Sequence, residues 1–196
     1  LYLDNETTLV QTAPKGQNII KSGDFGQKHI LYNGFRNIKI DGGTWNMNFN
    51  GSCAMRFGHC TNLSINNVKI NSVKDAHHIE VAGADTVSIT NSLFTASSRT
   101  SERSGSCEAI QLDILHDSVH FVGFEEFDDT PNKNITISGC TFDDLYSGIG
   151  TRSGVVSKYF DNIVIENNVF TNIQEKAISC FNYKNSKIIN NTFSDV

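Results

Sequence analysis

Apolar and polar residues alternate along this chain with a period of two, and the alternating segments return at near-constant spacing. Asn37-Ile-Lys-Ile-Asp-Gly-Gly-Thr-Trp45 is followed by Asn62-Leu-Ser-Ile-Asn-Asn-Val-Lys-Ile70 and Thr86-Val-Ser-Ile-Thr-Asn-Ser-Leu-Phe94. Asn134-Ile-Thr-Ile-Ser-Gly-Cys-Thr-Phe142 and Asn162-Ile-Val-Ile-Glu-Asn-Asn-Val-Phe170 continue the series, and a looser copy ends at Phe193. The start-to-start spacings are 25, 24, 48, 28 and 23 residues. Strand-like alternation with a period in the twenties is the signature of a solenoid.

Each column of the repeat has a physical job. The alternating Ile-x-Ile segment predicts a short strand with one buried face. Two residues after its last apolar position stands Gly42, Asn67, Asn91, Gly139, Asn167 or Asn190. Gly and Asn enter the left-handed backbone region most cheaply, so a tight bend recurs on every coil. Stacked Asn side chains there can hydrogen-bond along the axis. Three residues later Trp45, Ile70, Phe94, Phe142, Phe170 and Phe193 predict an internal apolar stack. A third strand completes each coil: Ala54–Phe57, His78–Val81, Ala109–Leu112, Gly148–Thr151 and Ala177–Cys180. Met55, Ile79, Ile110, Ile149 and Ile178 then face inward.

Three short strands per coil of about 23–28 residues, with the Asn bend between the first two, resemble the right-handed parallel β-helix of the pectin-lyase-like superfamily. The expected fold is therefore all-β, a right-handed single-stranded parallel β-helix. It spans residues 1–196 as one domain, with irregular first coils over 1–36, regular coils over 37–196, and inserted loops at 95–107 and 114–133. In 1–36 the weak strand signals are Leu1–Val10 and Lys28–Tyr32, and no chemistry can be placed there. Both ends look cut, which reads as a piece of a longer chain. The resemblance implies that the third strand carries a polysaccharide cleft, and that the protein is secreted or on a bacterial cell surface.

Composition narrows the function. A net charge of −5 argues against nucleic acid as a partner, and the chain has no apolar run long enough for a membrane span. No secretory leader is visible at the start. Five cysteines, Cys53, Cys60, Cys107, Cys140 and Cys180, form no Cys-x-x-Cys pair, so neither a zinc site nor a disulfide framework is expected. Cys140 and Cys180 occupy apolar columns and read as buried thiols. A homotrimer is compatible with such a rod, and nothing in the pattern indicates one.

The outward positions of the third strand carry the candidate chemistry. They are Arg56, His78, Glu80, Gln111, Asp113 and Arg152, interleaved with Ala54, Ala82, Ala109, Gly148 and Gly150. Fork-shaped cations, carboxylates and an amide with small residues between them suit a sugar groove, because sugar hydroxyls take bidentate partners. The insertions on either side of Gln111 read as the walls of a cleft. One wall bears Arg99, Glu102 and Arg103; the other bears His116, His120, Phe121, Phe124 and Phe127. These aromatics either stack on sugar rings or tack the loop down.

Adjacent coils lie about 4.8 Å apart and same-face residues of a strand about 6.7 Å apart, so Glu80 and Asp113 fall roughly 8 Å apart on a diagonal. Carboxyls about 6.5–9.5 Å apart suit an inverting glycosidase. The expected activity is thus a glycoside hydrolase with Asp113 as base, held ionised by Arg152, and Glu80 as acid, oriented by His78. Arg56, His77, His78, Glu108, Gln111 and Arg152 are the substrate-binding candidates. No cofactor is required. Glu108 and His77 sit at the rim, where Glu108 is a third carboxylate, a metal ligand or a hydrogen-bond acceptor for a loop amide.

Two alternatives stand beside the hydrolase. Gly105-Ser-Cys-Glu-Ala-Ile-Gln-Leu112 resembles the Asn-Gly-Ser-Glu-Thr-Ile-Arg-Ile stretch of the chondroitinase B and alginate lyase family, with Cys107 extra and Gln111 in place of the Arg. That resemblance implies a calcium-assisted lyase with Glu108 as metal ligand and Arg152 as catalytic cation. The acidic run Glu125-Glu-Phe-Asp-Asp129 could also hold calcium. The other alternative is a non-catalytic adhesin or fibre in which the β-helix is a stiff rod.

Overall fold

The computed structural model describes residues 1–14, 17–100, 107–119, 121–152 and 154–196. Glu102, Arg103 and His120 of the expected walls lie outside the described residues. The described residues contain no helix, and every ladder between their strands is parallel. The architecture is a parallel β-helix with the right hand that parallel crossovers almost always take.

The first leg of the coils is the Ile-x-Ile segment. Arg36–Asp41, Thr61–Asn66, Asp85–Thr90, Lys133–Ser138 and Phe160–Glu166 stack in one sheet of seven strands. Val87 lies opposite Leu63 on one side and Ile135 on the other, so the 48-residue spacing is one coil with insertions and not two coils. The second leg runs through Thr8–Val10, Thr44–Asn46, Lys69–Lys74, Leu93–Ser98, Thr141–Thr151, Val169–Ile178 and Thr192–Ser194. The third leg comprises Ile20–Lys21, Met55–Gly58, Ile79–Ala82 and Glu108–Asp113. From Thr141 on, the second and third legs fuse into single long strands, so both legs belong to one eleven-stranded sheet. The register slips once, between Leu145 and Ser147, where the bend between legs would otherwise be.

The bend column behaves as its residue types require. Gly42, Asn67, Asn91, Gly139, Asn167 and Asn190 all have φ between 51° and 81°. At Gly42 a side chain would run into the carbonyl of Leu3, so Gly is demanded there by space as well as by conformation. A second left-handed column opens the repeats at Asn37, Asn62, Thr86, Asn134, Asn162 and Asn185. It carries the clearest amide ladder: Asn62 Nδ2 donates to Asn37 Oδ1 at 2.9 Å, and Asn162 Nδ2 to Asn134 Oδ1 at 2.8 Å.

The aromatic column stacks in register. Phe94, Phe142, Phe170 and Phe193 follow one another with ring centroids 5.0, 4.6 and 5.2 Å apart. Phe94, Phe142 and Phe170 are fully buried. Each buried ring contributes about 1.5–3 kcal/mol by area and each offset pair about 0.5–1.5 kcal/mol more.

The first 36 residues depart from expectation. Among the described residues before Arg36, Thr8–Val10 and Ile20–Lys21 are the strands, and Lys28–Tyr32 is loop and turn. The segment forms a first coil by pairing with Thr44–Asn46 and Met55–Arg56, then runs out over the third leg. Cys140 is buried as expected, but Cys180 is exposed, because the strand stops at Ile178 and leaves it in the following turn.

Candidate functional site

The third leg places its outward residues as alternation requires. Glu80 lies opposite Arg56 on one neighbouring coil and Gln111 on the other, while Asp113 lies opposite Ala82. Glu80 and Asp113 are therefore diagonal neighbours on adjacent coils. Their surroundings differ from an open groove: Glu80 is 3 % exposed, Gln111 2 % and Asp113 1 %.

Part of this face is covered by the 114–133 insertion. Phe121 and Phe124 lie down on the face and pack with Ala82 and Leu115 in a small apolar cluster of their own. A side chain at Gly58 would come within 2.6 Å of Phe124 and 2.8 Å of Phe121, so Gly58 and Ala82 make the seat for the two rings. The Arg56 guanidinium stacks under Phe121, 5.3 Å from the ring centre. Of the two roles open to these aromatics, holding the loop down is the one the packing gives them.

Beneath the cover the charges are paired. Arg56 Nε donates to Glu80 Oε2 at 2.5 Å, and the Cys53 thiol donates to the same oxygen at 3.4 Å. Burial, reinforced by the Glu80 carboxylate, pushes the Cys53 thiol up to about 12. Gln111 Nε2 donates to Asp113 Oδ2 at 3.0 Å. The Asn132 amide donates to the carbonyls of Val81 and Asp113 and accepts from Ala84 N, pinning the far end of the insertion where the next coil starts. Asn132 follows Pro131 just before the repeat resumes, the one hint of this role in the sequence.

Two expected partnerships do not form. His78 precedes the strand, at the corner, and its ring turns into the core. Its edge meets Phe94 and its Nε2 donates to the Thr95 carbonyl, so its contacts lead away from Glu80. Burial pushes its pKa down to about 4. Arg152 follows the last strand residue, Thr151, and is exposed; among the described residues it has no ion pair, with Asp113 or otherwise. His77 and Glu108 do meet: His77 Nδ1 is 2.9 Å from the Glu108 carbonyl oxygen and 3.6 Å from Glu108 Oε2. Glu108 is the first residue of its strand, buried, and its side chain fills the space over Gly150.

The acidic run serves as a clasp between the insertion and residues 22–34. Glu125 Oε1 accepts from Gly26 N, Glu126 pairs with Lys28 at 3.0 Å, and Asp128 accepts from Leu31 N. Glu125 N in turn donates to Asp24. His59, buried, touches the Leu31 carbonyl with one ring nitrogen and the Glu126 carbonyl with the other. Asp129 accepts from His116 at 2.5 Å. These oxygens are directed at hydrogen-bond donors, and no group of three His, Cys, Asp or Glu among the described residues is arranged to hold a metal ion. No described helix is long and apolar enough to cross a membrane.

No family model matches the chain, and no curated protein matches it. Solved structures do. One of the surface protein and adhesin PfbA of Streptococcus pneumoniae superposes with a TM-score of 0.83 at 23% identity, over 98% of this chain and 53% of that one. Another of PfbA, a surface adhesin of the same organism, gives a TM-score of 0.74 at 21% identity over 94% of this chain and 49% of that one. The chain thus spans about half the length of these structures. At such identity the likeness is one of fold, and it agrees with the ladders: this chain is a parallel β-helix.

Proposed function

We propose that this chain is a non-catalytic, cell-surface recognition module: a rigid β-helix in which the insertion-bearing coil closes the third-leg face. The observation that carries the reading is the burial of Glu80, Gln111 and Asp113 on a face where Phe121 and Phe124 are seated against Gly58, Ala82 and Arg56. A general acid or base must come within hydrogen-bond reach of substrate, and here both carboxylates are buried. The Arg56–Glu80 pair then reads as a buried structural ion pair. The fold likeness to a surface adhesin supports the location and the kind of activity.

The glycoside hydrolase is a second reading, favoured by one observation, the diagonal register of Glu80 and Asp113. It requires the cover to lift from its seat on Gly58. The lyase reading has the His77–Glu108 contact at the rim in its favour and needs Arg152 to approach Glu108. Neutral and acidic polysaccharides incubated with the chain and with Asp113→Asn, with and without chelator, separate the three. No new reducing ends and no ultraviolet absorbance of an unsaturated product is the outcome expected, alongside retained binding to host-cell or matrix surfaces. Reducing ends lost in Asp113→Asn would overturn the proposal for the hydrolase, and chelator-sensitive absorbance would overturn it for the lyase.

A further inference from the structure

We propose that a pocket at the corner between the second and third legs, walled by Phe49 and rimmed by Lys74 and Asp75, binds a single pyranose unit of a glycan. The proposal rests on the recognition-module reading and assigns that module a site and a ligand class. It lies away from the covered third-leg face.

The pocket begins with an unusual turn. Asn48 and Phe49 are consecutive left-handed residues, with φ of 49° and 52°. Asn tolerates that region by local hydrogen bonding, and the turn is held by Asn48 N–H donating to Asn46 Oδ1. A bulky ring has no such compensation, and a positive φ there is an outlier worth a functional question. Phe49 is locked in place because its N–H donates to the Ser72 carbonyl at 2.7 Å, while Asn50 N closes the turn onto Met47. The result is a phenyl ring held 51 % exposed. A lone exposed apolar residue needs no explanation, but this one is a wall of a concave space of about 230 Å³ also lined, among the described residues, by Asn50, Gly51, Lys74 and Asp75.

The polar groups of the pocket are positioned from behind. Asp75 is also left-handed, at φ 51°, and its two carboxylate oxygens accept from Thr100 N and Thr100 Oγ1, each at 2.7 Å. Asn50 Nδ2 donates to the Ala13 carbonyl, which fixes the side chain behind the pocket with its Oδ1 buried. One wall of the space is therefore the Phe49 ring, and its rim offers a cation with three donors beside the Asp75 carboxylate.

A pyranose matches this set: one face of C–H groups for the ring, and hydroxyls that both donate and accept. An apolar peptide side chain would take the phenyl face but desolvate Lys74 and Asp75 without return. A lone metal cation would meet Asp75 with the Lys74 ammonium beside it. The volume is below the range of roughly 300–1,000 Å³ that holds drug-sized ligands, which limits the occupant to one ring.

The test is saturation-transfer NMR on the chain with a panel of methyl pyranosides: glucose, galactose, mannose and N-acetylglucosamine. At least one should show transfer strongest at the protons of one ring face. Phe49→Ala should weaken it by tenfold or more with circular dichroism unchanged, and Phe49→Trp should keep or strengthen it. Absence of transfer to every sugar, or equal transfer in Phe49→Ala, overturns the proposal, as does displacement of the sugar signal by a peptide and not by a second sugar. Surface binding that survives Phe49→Ala leaves the recognition module standing and removes this pocket. Product formation in the polysaccharide assay removes the module reading while the NMR result on the pocket stands by itself.

Discussion

The outward faces of the first and third legs are built on the same parallel ladder and end in opposite environments. Along the first leg, Lys39, Ser64, Ser88, Thr136 and Val164 stand one above another in register, each at least partly exposed. Along the third, Lys21, Arg56, Glu80, Gln111 and Gly150 do the same, and in the middle of that row Glu80 and Gln111 are buried beside an Arg56 that stacks on Phe121. The ladder fixes which residues are neighbours. What lies over them is decided by segments that do not belong to the ladder at all. Water screens the first row, so its residues are interchangeable; the second row is desolvated, so each partner depends on the next.

That contrast can be broken most forcefully at Glu80. Glu80→Gln leaves Arg56 charged, partly buried and without its carboxylate partner, and should lower stability by about 3 kcal/mol in urea denaturation. Ser64→Ala, at the matching place on the first leg, should fall within about 0.5 kcal/mol of the parent. Comparable losses at the two sites would end the distinction between the faces.

A smaller effect comes from His78. The unfolded chain takes up a proton there near the ordinary imidazole value of 6.5, whereas the folded chain resists until about 4. The unfolded state thus binds more protons in that window, and stability falls as pH drops through it, levelling off below. The full loss is roughly 3 kcal/mol by linkage. Thermal melts of the parent across the window should show the slope, and His78→Phe should flatten it.

The smallest is the clasp at His116. A hydrogen bond to Asp129 raises its pKa, so its stabilisation is present below the ordinary imidazole value and disappears as pH rises through the raised one. The pair is exposed, so the effect is at most ~1 kcal/mol and belongs to the insertion. Amide exchange over 121–129 should quicken above that pH in the parent and be equally fast on both sides of it in His116→Ala.

The parts legible from sequence are those each coil demands again. An Ile-x-Ile face, a left-handed Asn or Gly and an aromatic three residues on are local requirements, repeated until their period is plain. The opening Asn column was as visible as the bend column, since Asn37, Asn62, Asn134, Asn162 and Asn185 recur, yet only the structure shows that those residues are left-handed too. Alternation placed Glu80 and Asp113 on their diagonal but misplaced His78 and Arg152, because each stands one residue outside its strand, where alternation has no force. The covering of the face was not legible. It depends on Gly58 and Ala82 leaving room for Phe121 and Phe124, and on residues 22–34, whose sequence carries no period, reaching across to the acidic run.

The coil that holds Gln111 has a further property. Asp85 meets Lys133 as directly as Thr61 meets Asp85, so the stack runs past the 114–133 excursion without a missed rung. A detour whose two ends are already fixed by the scaffold behaves like an exchangeable cartridge in a socket. Its sequence is free to drift, lengthen or be replaced while the rod beneath keeps its pitch, which lets one spine carry many different faces.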